Sequence, residues 1–146
     1  MSCADIVIFD LDDTLTDTRH RAHLVPHPDY RGYAPNWDRF SLACGMDAPI
    51  MANIALLVAL SRDYRIFILS SRGEVALAET TAWLARYSVP YDRLLLRADN
   101  EHRPPEEIKR DWIRNIGPAS VLCAFDDNPA VCATIRDLGI TCHQVA

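Results

Sequence analysis

The sequence predicts an α/β fold in which a five-stranded parallel sheet lies between two layers of helices. Short apolar segments alternate with longer segments whose apolar residues recur at helical spacing. Alternating strands and helices form right-handed crossovers, which keep the strands parallel and cover both faces of the sheet. The chain has 146 residues, which suits one domain with a buried core. We therefore expect residues 1–146 to form a single three-layer, Rossmann-like domain.

Five segments have the composition of buried strands, because aliphatic and β-branched residues dominate each one. The first is entirely apolar and runs directly into acidic residues. The second continues into two serines, and the fourth into two aspartates. Strands are accordingly predicted at 6–9, 66–69, 94–96, 121–125 and 141–145.

The segments between these strands have the periodicity of amphipathic helices. Ile108, Trp112 and Ile116, for example, are spaced to lie on one helical face. Gly117 and Gly139 follow two of these patterns and supply stop signals. Helices are predicted at 49–62, 74–87, 105–116 and 129–138.

Composition and charge narrow the class of protein. The formal net charge is −5, which argues against a general polyanion-binding protein but leaves room for a local basic patch. No apolar stretch reaches the roughly 20 residues that cross a membrane, and the N-terminal residues lack the features of a signal peptide. Five cysteines without a C-x-x-C pair favour reduced thiols. The sequence therefore predicts a soluble, cytoplasmic protein that does not bind membranes.

The use of basic residues singles out one position. Of the 15 lysine and arginine residues, Lys109 is the one lysine. A chain that otherwise uses arginine for positive charge would keep a lysine where a compact ammonium is needed rather than a planar guanidinium. Chance retention is the alternative explanation.

A group of carboxylates directly after the first strand is the clearest sign of chemistry. Asp10, Asp12 and Asp13 end an apolar segment, where a buried charge is costly unless it is paired or binds a cation. In an extended chain, residues two apart project to the same side, so Asp10 and Asp12 are expected to face one ligand while Asp13 faces away. The pattern predicts a nucleophile and a proton donor.

Further polar groups are expected at the same edge of the sheet, because open α/β sheets bind ligands at the carboxyl ends of their strands. The second strand ends at residues 70–72 (Ser-Ser-Arg), and the fourth at residues 126–128 (Asp-Asp-Asn). Lys109 lies in the helical pattern before the fourth strand. Ser70 or Asn128 alone would be read as a helix cap, but together these groups predict one site.

These four groups, in this order, resemble the four motifs of the haloacid dehalogenase (HAD) superfamily of phosphotransferases. Asp10-x-Asp12-x-Thr14 resembles the first motif, Ser70 the second, Lys109 the third and the pair at 126–127 the fourth. The match covers essentially the whole chain and implies a HAD fold with a phosphatase core. An aspartate at position 12 distinguishes the chain from ion-pumping relatives, and the acidic fourth motif disfavours a dehalogenase.

The resemblance implies a role for each matching residue. Asp10 would attack phosphorus and form an aspartyl-phosphate, while Asp12 would protonate the leaving oxygen and later activate water. Ser70 and Lys109 would hold the phosphoryl oxygens. Additional contacts to the substrate are expected from Thr14, Ser71, Arg72 and Arg103.

A Mg²⁺ cofactor is also implied, because the motifs supply hard oxygen ligands. The resemblance assigns the ion to the side chains of Asp10 and Asp126 and to the backbone carbonyl of Asp12. Asp127 would lie nearby or act through water.

Two stretches, residues 97–109 and 139–146, resemble the 3′-phosphatase domain of bacteriophage polynucleotide kinase. No G-x-x-x-x-G-K-[ST] phosphate loop occurs in the sequence, so we expect a stand-alone phosphatase. The resemblance implies a phosphomonoesterase acting on the 3′-phosphate of a nucleic-acid end or on a nucleotide. A nucleoside monophosphate phosphatase, a D-x-D-x-T protein phosphatase and a catalytically silent phosphate sensor stay open as alternatives.

Residues 17–48 separate the first motif from the first long helix and are too few for a folded cap domain. We expect a small insert beside an open active site. The insert mixes basic and aromatic residues, which could follow phosphates and stack on bases. The spacing of Trp37, Phe40 and Leu42 favours instead a short helix packed on the core. The histidines at 20, 23 and 27 lack acidic or cysteine partners at metal-binding spacing, so a solvated loop is expected there.

Overall fold

The computed structural model describes residues 3–145, so the first two and the last residue of the predicted domain limits lie outside the described residues. The strands of this part of the chain are β1 (Ile6–Phe9), β2 (Thr16–Asp17), β3 (Ala48–Pro49), β4 (Arg65–Gly73), β5 (Arg93–Arg97), β6 (Val121–Asp126) and β7 (Thr141–Gln144). The α-helices are α1 (Asp38–Leu42), α2 (Met51–Leu60), α3 (Leu77–Arg86), α4 (Pro105–Ile116) and α5 (Pro129–Asp137).

Five of the strands form one sheet in the order β5-β4-β1-β6-β7, and every pair in it is parallel. This arrangement confirms the predicted α/β fold. β1 is central: β4 and β5 follow on one side of it, and the chain then crosses to β6 and β7 on the other side. A change of direction in strand order marks the place where such sheets bind ligands.

The two faces of the sheet are covered by different helices, because the side chains of β1 alternate between them. Ile6 and Ile8 belong to one buried cluster with residues of α4 and α5. Val7 and Phe9 belong to a second cluster with residues of α2 and α3. The result is the predicted three-layer arrangement.

The predicted helix limits hold best where a strong local signal is present. α4 has the predicted limits, and α5 begins at the predicted Pro129. The side chain of Asn128 caps α5, since its Oδ1 accepts hydrogen bonds from Ala130 N at 2.9 Å and Val131 N at 3.3 Å. α3 begins later than predicted because β4 extends to Gly73 and a single 3₁₀ turn follows it.

A tight turn after β1 positions the first carboxylates. Asp13 has φ 61°, a left-handed conformation that aspartate tolerates better than most residues. Its backbone N donates to Thr16 O at 2.7 Å, and its side chain accepts from the Thr18 hydroxyl at 2.8 Å. Both the backbone and the side chain of Asp13 thus stabilise the turn.

The 17–48 insert leaves and rejoins the domain at one place, because β2 and β3 pair antiparallel at its two ends. Between them the chain forms short 3₁₀ turns and α1. The expected short helix is present, but Leu42 is 42% exposed, so packing of this residue on the core was wrongly expected. The insert is held by its ends and by contacts around the site.

Candidate active site

A cavity of about 590 Å³ opens at the carboxyl ends of the central strands. β1 leads into Asp10, β4 contains Ser70, and β6 ends at Asp126, so three strand ends meet at its floor. The fold therefore brings together side chains that are far apart in the sequence. The predicted site residues that line the cavity are Asp10, Asp12, Ser70, Ser71, Arg72, Arg103, Lys109, Asp126 and Asp127.

Lys109 joins two of the carboxylates at the floor of the cavity. It projects from α4 and is 3% exposed. Its Nζ donates to Asp10 Oδ1 at 2.9 Å and to Asp126 Oδ2 at 2.7 Å. Burial alone would lower the pKa of Lys109, but the charges and hydrogen bonds of the two aspartates outweigh burial and raise it. The ammonium is thus held in its charged form between the two carboxylates.

Asp10, Asp126 and Asp127 form a compact cluster in which one oxygen from each lies within 4.8 Å of the others. Burial, a hydrogen bond to Asp10 and the charges of both neighbours raise the pKa of Asp127 to about 8. Burial and the charge of Asp10 also raise the pKa of Asp126. One lysine does not compensate the negative charge of three carboxyl groups. Carboxylate oxygens are hard ligands, and at this spacing they suit Mg²⁺. The residues fit the expected cofactor.

Asp12 is held at the cavity wall by two arginines. Its Oδ1 accepts a hydrogen bond from Arg21 Nη2 at 2.7 Å and another from Arg72 Nη2. Burial would raise the pKa of Asp12, but the two guanidinium charges outweigh burial and lower it. The carboxylate is therefore ionised and fixed in one orientation.

Asp47 holds this arginine pair from behind. It is 1% exposed and accepts hydrogen bonds from Arg21 Nε at 2.9 Å and Nη2 at 2.7 Å. Arg72 Nη2 lies 3.6 Å from Asp47 Oδ2. Trp83 Nε1 donates to the Asp47 carbonyl at 2.9 Å, which anchors Asp47 to α3. A chain of buried contacts therefore runs from α3 through Asp47 to Asp12.

All three insert histidines are exposed, as the expected solvated loop requires. The side chain of His27 is 66% exposed, and His23 is exposed as well. His20 differs, because its Nε2 lies 2.6 Å from Asp47 Oδ1. The far end of the insert thus supplies an acidic partner for His20, while the His20 side chain stays 40% exposed.

The small hydroxyl residues take different positions. Ser70 is 1% exposed and lies at the cavity floor, and Ser71 lines the cavity beside it. Thr14 is fully buried, and its hydroxyl lies 3.4 Å from both Asp10 Oδ2 and Asp127 Oδ1. Thr14 thus contacts the carboxylates themselves, whereas the serines face the space where a substrate would lie.

The two arginines expected to contact substrate are both engaged by carboxylates. Arg72 is 3% exposed and pairs with Asp12, although its buried Nε has no hydrogen-bond partner within residues 3–145. Arg103 lies at the cavity rim, where it donates to Glu101 at 3.0 Å and to Asp111 at 2.6 Å. Arg72 therefore contacts the carboxylate of Asp12, while Arg103 braces the loop before α4.

The insert forms the outer wall of the cavity. Trp37 and Phe40 are half-buried and line it, so they face the cavity rather than only the core. The Tyr33 ring stacks on His102 with centroids 4.9 Å apart, and Ala34 N donates to His102 Nδ1 at 3.0 Å. These contacts join the insert to the loop before α4 and close one side of the site.

Arg21 and Asp47 are the main site residues that the sequence patterns did not single out. Arg21 was one of several basic residues in the insert, and Asp47 lies outside every recognised motif. No short motif contains both, because they stand 26 residues apart. The sequence feature that could have indicated their contact is that each lies close to one end of the predicted insert.

Comparisons with known proteins agree with this geometry. The family model described as the polynucleotide kinase PNKP phosphatase domain matches residues 4–146. A search of curated proteins finds no match. No helix within residues 3–145 is long and apolar enough to cross a membrane.

Two solved structures of the Pnkp1/Rnl/Hen1 RNA repair complex contain similar chains. One has a TM-score of 0.79 at 26% identity, with 97% of this chain and 42% of that chain covered. The other has a TM-score of 0.79 at 27% identity, with 99% and 47% covered. The present chain thus spans less than half the length of these relatives.

More distant structures share the fold. A haloacid dehalogenase-like hydrolase from Streptococcus pneumoniae has a TM-score of 0.66 at 15% identity, with 97% of this chain and 84% of that chain covered. A HAD family enzyme from Bacteroides thetaiotaomicron, in complex with magnesium and inorganic phosphate, has a TM-score of 0.59 at 12% identity, with 97% and 94% covered. With the family model matching residues 4–146, the chain belongs to the family of PNKP-type HAD phosphatase domains.

Proposed function

We propose that this phosphatase removes the 3′-terminal phosphate from a nucleic-acid end in a Mg²⁺-dependent reaction. The observation that carries the proposal is the cavity itself, whose floor holds Asp10 and Lys109 and whose walls are arginine and aromatic side chains. Such walls suit a substrate that is both anionic and aromatic. The family match supports the same choice.

In the first step, a carboxylate oxygen of Asp10 attacks phosphorus and the bond to the 3′-oxygen of the strand breaks. Asp12 gives its proton to that oxygen, which leaves as a hydroxyl. The arginines favour the ionised form of Asp12 in the free enzyme. A bound phosphate brings negative charge beside Asp12 and shares its arginines, and both effects raise the pKa of Asp12 towards the protonated form.

In the second step, Asp12 takes a proton from a water molecule, whose oxygen attacks phosphorus and releases inorganic phosphate from Asp10. Lys109, Ser70 and Ser71 hold the phosphoryl oxygens while charge on them develops. Mg²⁺, when bound, neutralises part of this charge. Asp10, Asp126 and Asp127, with the backbone carbonyl of Asp12, would hold it.

A nucleic-acid end is favoured over other phosphate esters by two observations. Trp37 and Phe40 face the cavity, where they can contact a sugar or a base. The two similar chains of known structure occur in an RNA repair complex. We further propose a reducing compartment, the cytoplasm, because all five cysteines are free thiols.

The second candidate is a phosphatase of free nucleoside monophosphates. The observation in its favour is the cavity volume of about 590 Å³, which falls in the range of small-molecule sites. The insert also closes one side of the site, as small-molecule phosphatases require in order to exclude water.

The deciding experiment measures phosphate release with Mg²⁺ from matched concentrations of several substrates. These are 3′-phosphorylated DNA and RNA oligonucleotides, the 5′-phosphorylated equivalents, nucleoside 3′- and 5′-monophosphates, and a phosphopeptide. A higher kcat/KM for the 3′-phosphorylated oligonucleotides supports the proposal. A preference for monomers establishes the second candidate, and activity on the phosphopeptide alone establishes a protein phosphatase.

A further inference from the structure

Four arginines line the cavity, and they differ in what holds them. Arg72 is paired with Asp12 and Asp47, and Arg103 with Glu101 and Asp111. The other two, Arg31 and Arg97, form no ion pair with any carboxylate in residues 3–145. Two guanidinium groups on the cavity wall are therefore free to compensate the charge of a ligand.

Arg97 is the last residue of β5, on the side of the sheet away from β6. Its Nε donates to Ser71 O at 3.1 Å, and its Nη1 donates to Glu101 O at 2.9 Å and Arg103 O at 2.7 Å. Nη2 has no hydrogen-bond partner within residues 3–145. Three carbonyls fix the orientation of the guanidinium but leave its charge unpaired.

Arg97 also stands at a suitable distance from the reacting groups. β5 is separated from β1 by β4 alone, and neighbouring strands lie about 4.8 Å apart. The end of β1 is level with Leu94 through Ile68, so Arg97 lies three residues, roughly 10 Å, further along the strand direction as well. Its backbone is therefore roughly 14 Å from the end of β1, and its contact with Ser71 O brings the guanidinium back towards β4. The Arg97 guanidinium therefore lies beside Ser71, the residue after Ser70, on the cavity wall.

Arg31 belongs to the insert and is held mainly through its backbone. Trp37 Nε1 donates to Arg31 O at 3.0 Å, and Arg31 Nε donates to Pro26 O at 2.9 Å. The remaining guanidinium nitrogens make no hydrogen bond within residues 3–145. The stack of Tyr33 on His102 ties this part of the insert to the loop that follows Arg97. Both guanidinium groups without an ion pair therefore lie on one side of the cavity, where the Tyr33–His102 stack holds the insert against the neighbouring loop.

We propose that Arg97 and Arg31 form a second anion subsite, which holds the phosphodiester that precedes the terminal phosphate of a nucleic acid strand. The inference rests on the proposed function. A strand end presents a second negative charge near the scissile phosphate, whereas a nucleoside monophosphate does not. Arg31 has both Nη1 and Nη2 left for phosphate oxygens, whereas Arg97 has Nη2. Hydrogen bonds from charged guanidinium groups to phosphate are among the strong ones. The subsite selects polymer ends over monomers.

The test compares a 3′-phosphorylated dinucleotide with the same molecule carrying an uncharged methylphosphonate linkage. We expect wild type to prefer the charged linkage at least about tenfold in kcat/KM, the effect of one lost charged hydrogen bond. The preference should fall in Arg31→Ala and in Arg97→Gln, whatever their overall rates, and should reach about one in the double variant. Arg62→Ala, an exposed arginine outside the cavity, should keep it.

Arg31→Ala keeps the backbone carbonyl that Trp37 contacts, so it tests the subsite even where loss of the Arg97 contacts disturbs folding. Equal kcat/KM of wild type for charged and neutral linkages would overturn the subsite while leaving the proposed phosphatase intact. A full preference retained in both arginine variants would also overturn it. Absence of phosphate release from every nucleotide substrate would instead overturn the proposed function itself.

Discussion

Arg21 and Asp47 form a two-point ion pair from which solvent is excluded. The side chains of both are fully buried, and Nε and Nη2 of the arginine lie 2.9 Å and 2.7 Å from the two carboxylate oxygens. The same Nη2 also donates to Asp12. The ion pair therefore orients the residue that handles protons in the proposed reaction.

Asp47→Ala is expected to lower both stability and activity. Removing Asp47 leaves two buried arginine charges, Arg21 and Arg72, with Asp12 as their remaining carboxylate partner among residues 3–145. The partly uncompensated charge should cost about 3 kcal/mol of unfolding free energy. The released arginines should misplace Asp12 and reduce kcat about 100-fold or more. Denaturant unfolding and steady-state phosphate release measure the two effects.

His20→Ala is the matched control for Asp47, since it removes one contact of the same carboxylate at a partly exposed position. Its effects on stability and kcat should be small. An Asp47→Ala variant that folds and retains wild-type kcat would contradict the positioning role.

Lys109→Arg is expected to be severely impaired although the charge is kept. The ammonium fits between Asp10 and Asp126 at 2.9 Å and 2.7 Å with almost no exposed surface. A planar guanidinium is too broad for this space and would displace the carboxylates. We expect a loss of at least about 100-fold in kcat/KM, measured by phosphate release. Kinetics close to wild type would show that the position needs only positive charge.

Asp10→Asn is expected to abolish turnover and keep the fold. The amide preserves the size of the side chain and one oxygen for Lys109, but it is not a nucleophile. Phosphate release should vanish while the thermal unfolding transition stays cooperative. Trapping of phosphorylated protein in acid-quenched wild type, and its loss in the variant, would identify the attacked residue. Substantial activity in Asp10→Asn would remove Asp10 as the nucleophile.

The affinity for Mg²⁺ is expected to rise with pH between about pH 7 and pH 9. A proton on Asp127 competes with the metal, and burial with its acidic neighbours raises the pKa of Asp127 to about 8. Below that pH, binding must release the proton, whereas above it the carboxylate is already free. Calorimetry at several pH values measures the trend, and Asp127→Asn should flatten most of it. A pH-independent wild-type affinity would contradict the assignment.

The fold could be predicted because its signals are local. The four apolar residues of β1 and the carboxylates after them sit within one short stretch, and α4 shows a clear amphipathic period between Pro105 and Gly117. Lys109 is distant from Asp10 in sequence, but a general rule predicts that they lie close together. In open α/β sheets, functional side chains gather at the carboxyl ends of the parallel strands.

The insert resisted prediction because its contacts are distant in sequence. Arg21 is a basic residue in a polar stretch, which usually indicates exposure. In the structure it is completely buried and forms an ion pair with Asp47. The half-buried Trp37 shows helical spacing but lines a cavity, because the wall opposite it is built by the loop around His102. Neither partner is visible in the residues nearby.

The short antiparallel pairing of β2 with β3 has a consequence for how this enzyme can change. It pins the two ends of the insert together, and Arg21 and Asp47 lie close to those ends. The stretch from about Pro26 to Gly32 lies between this junction and the contacts of Tyr33 and Ala34 with His102, and changes in its length cost little free energy. That stretch could therefore be replaced by another loop without disturbing the paired ends of the insert. Grafting a longer or differently charged segment there would alter which substrates the cavity admits, while the carboxylates at its floor stay in place.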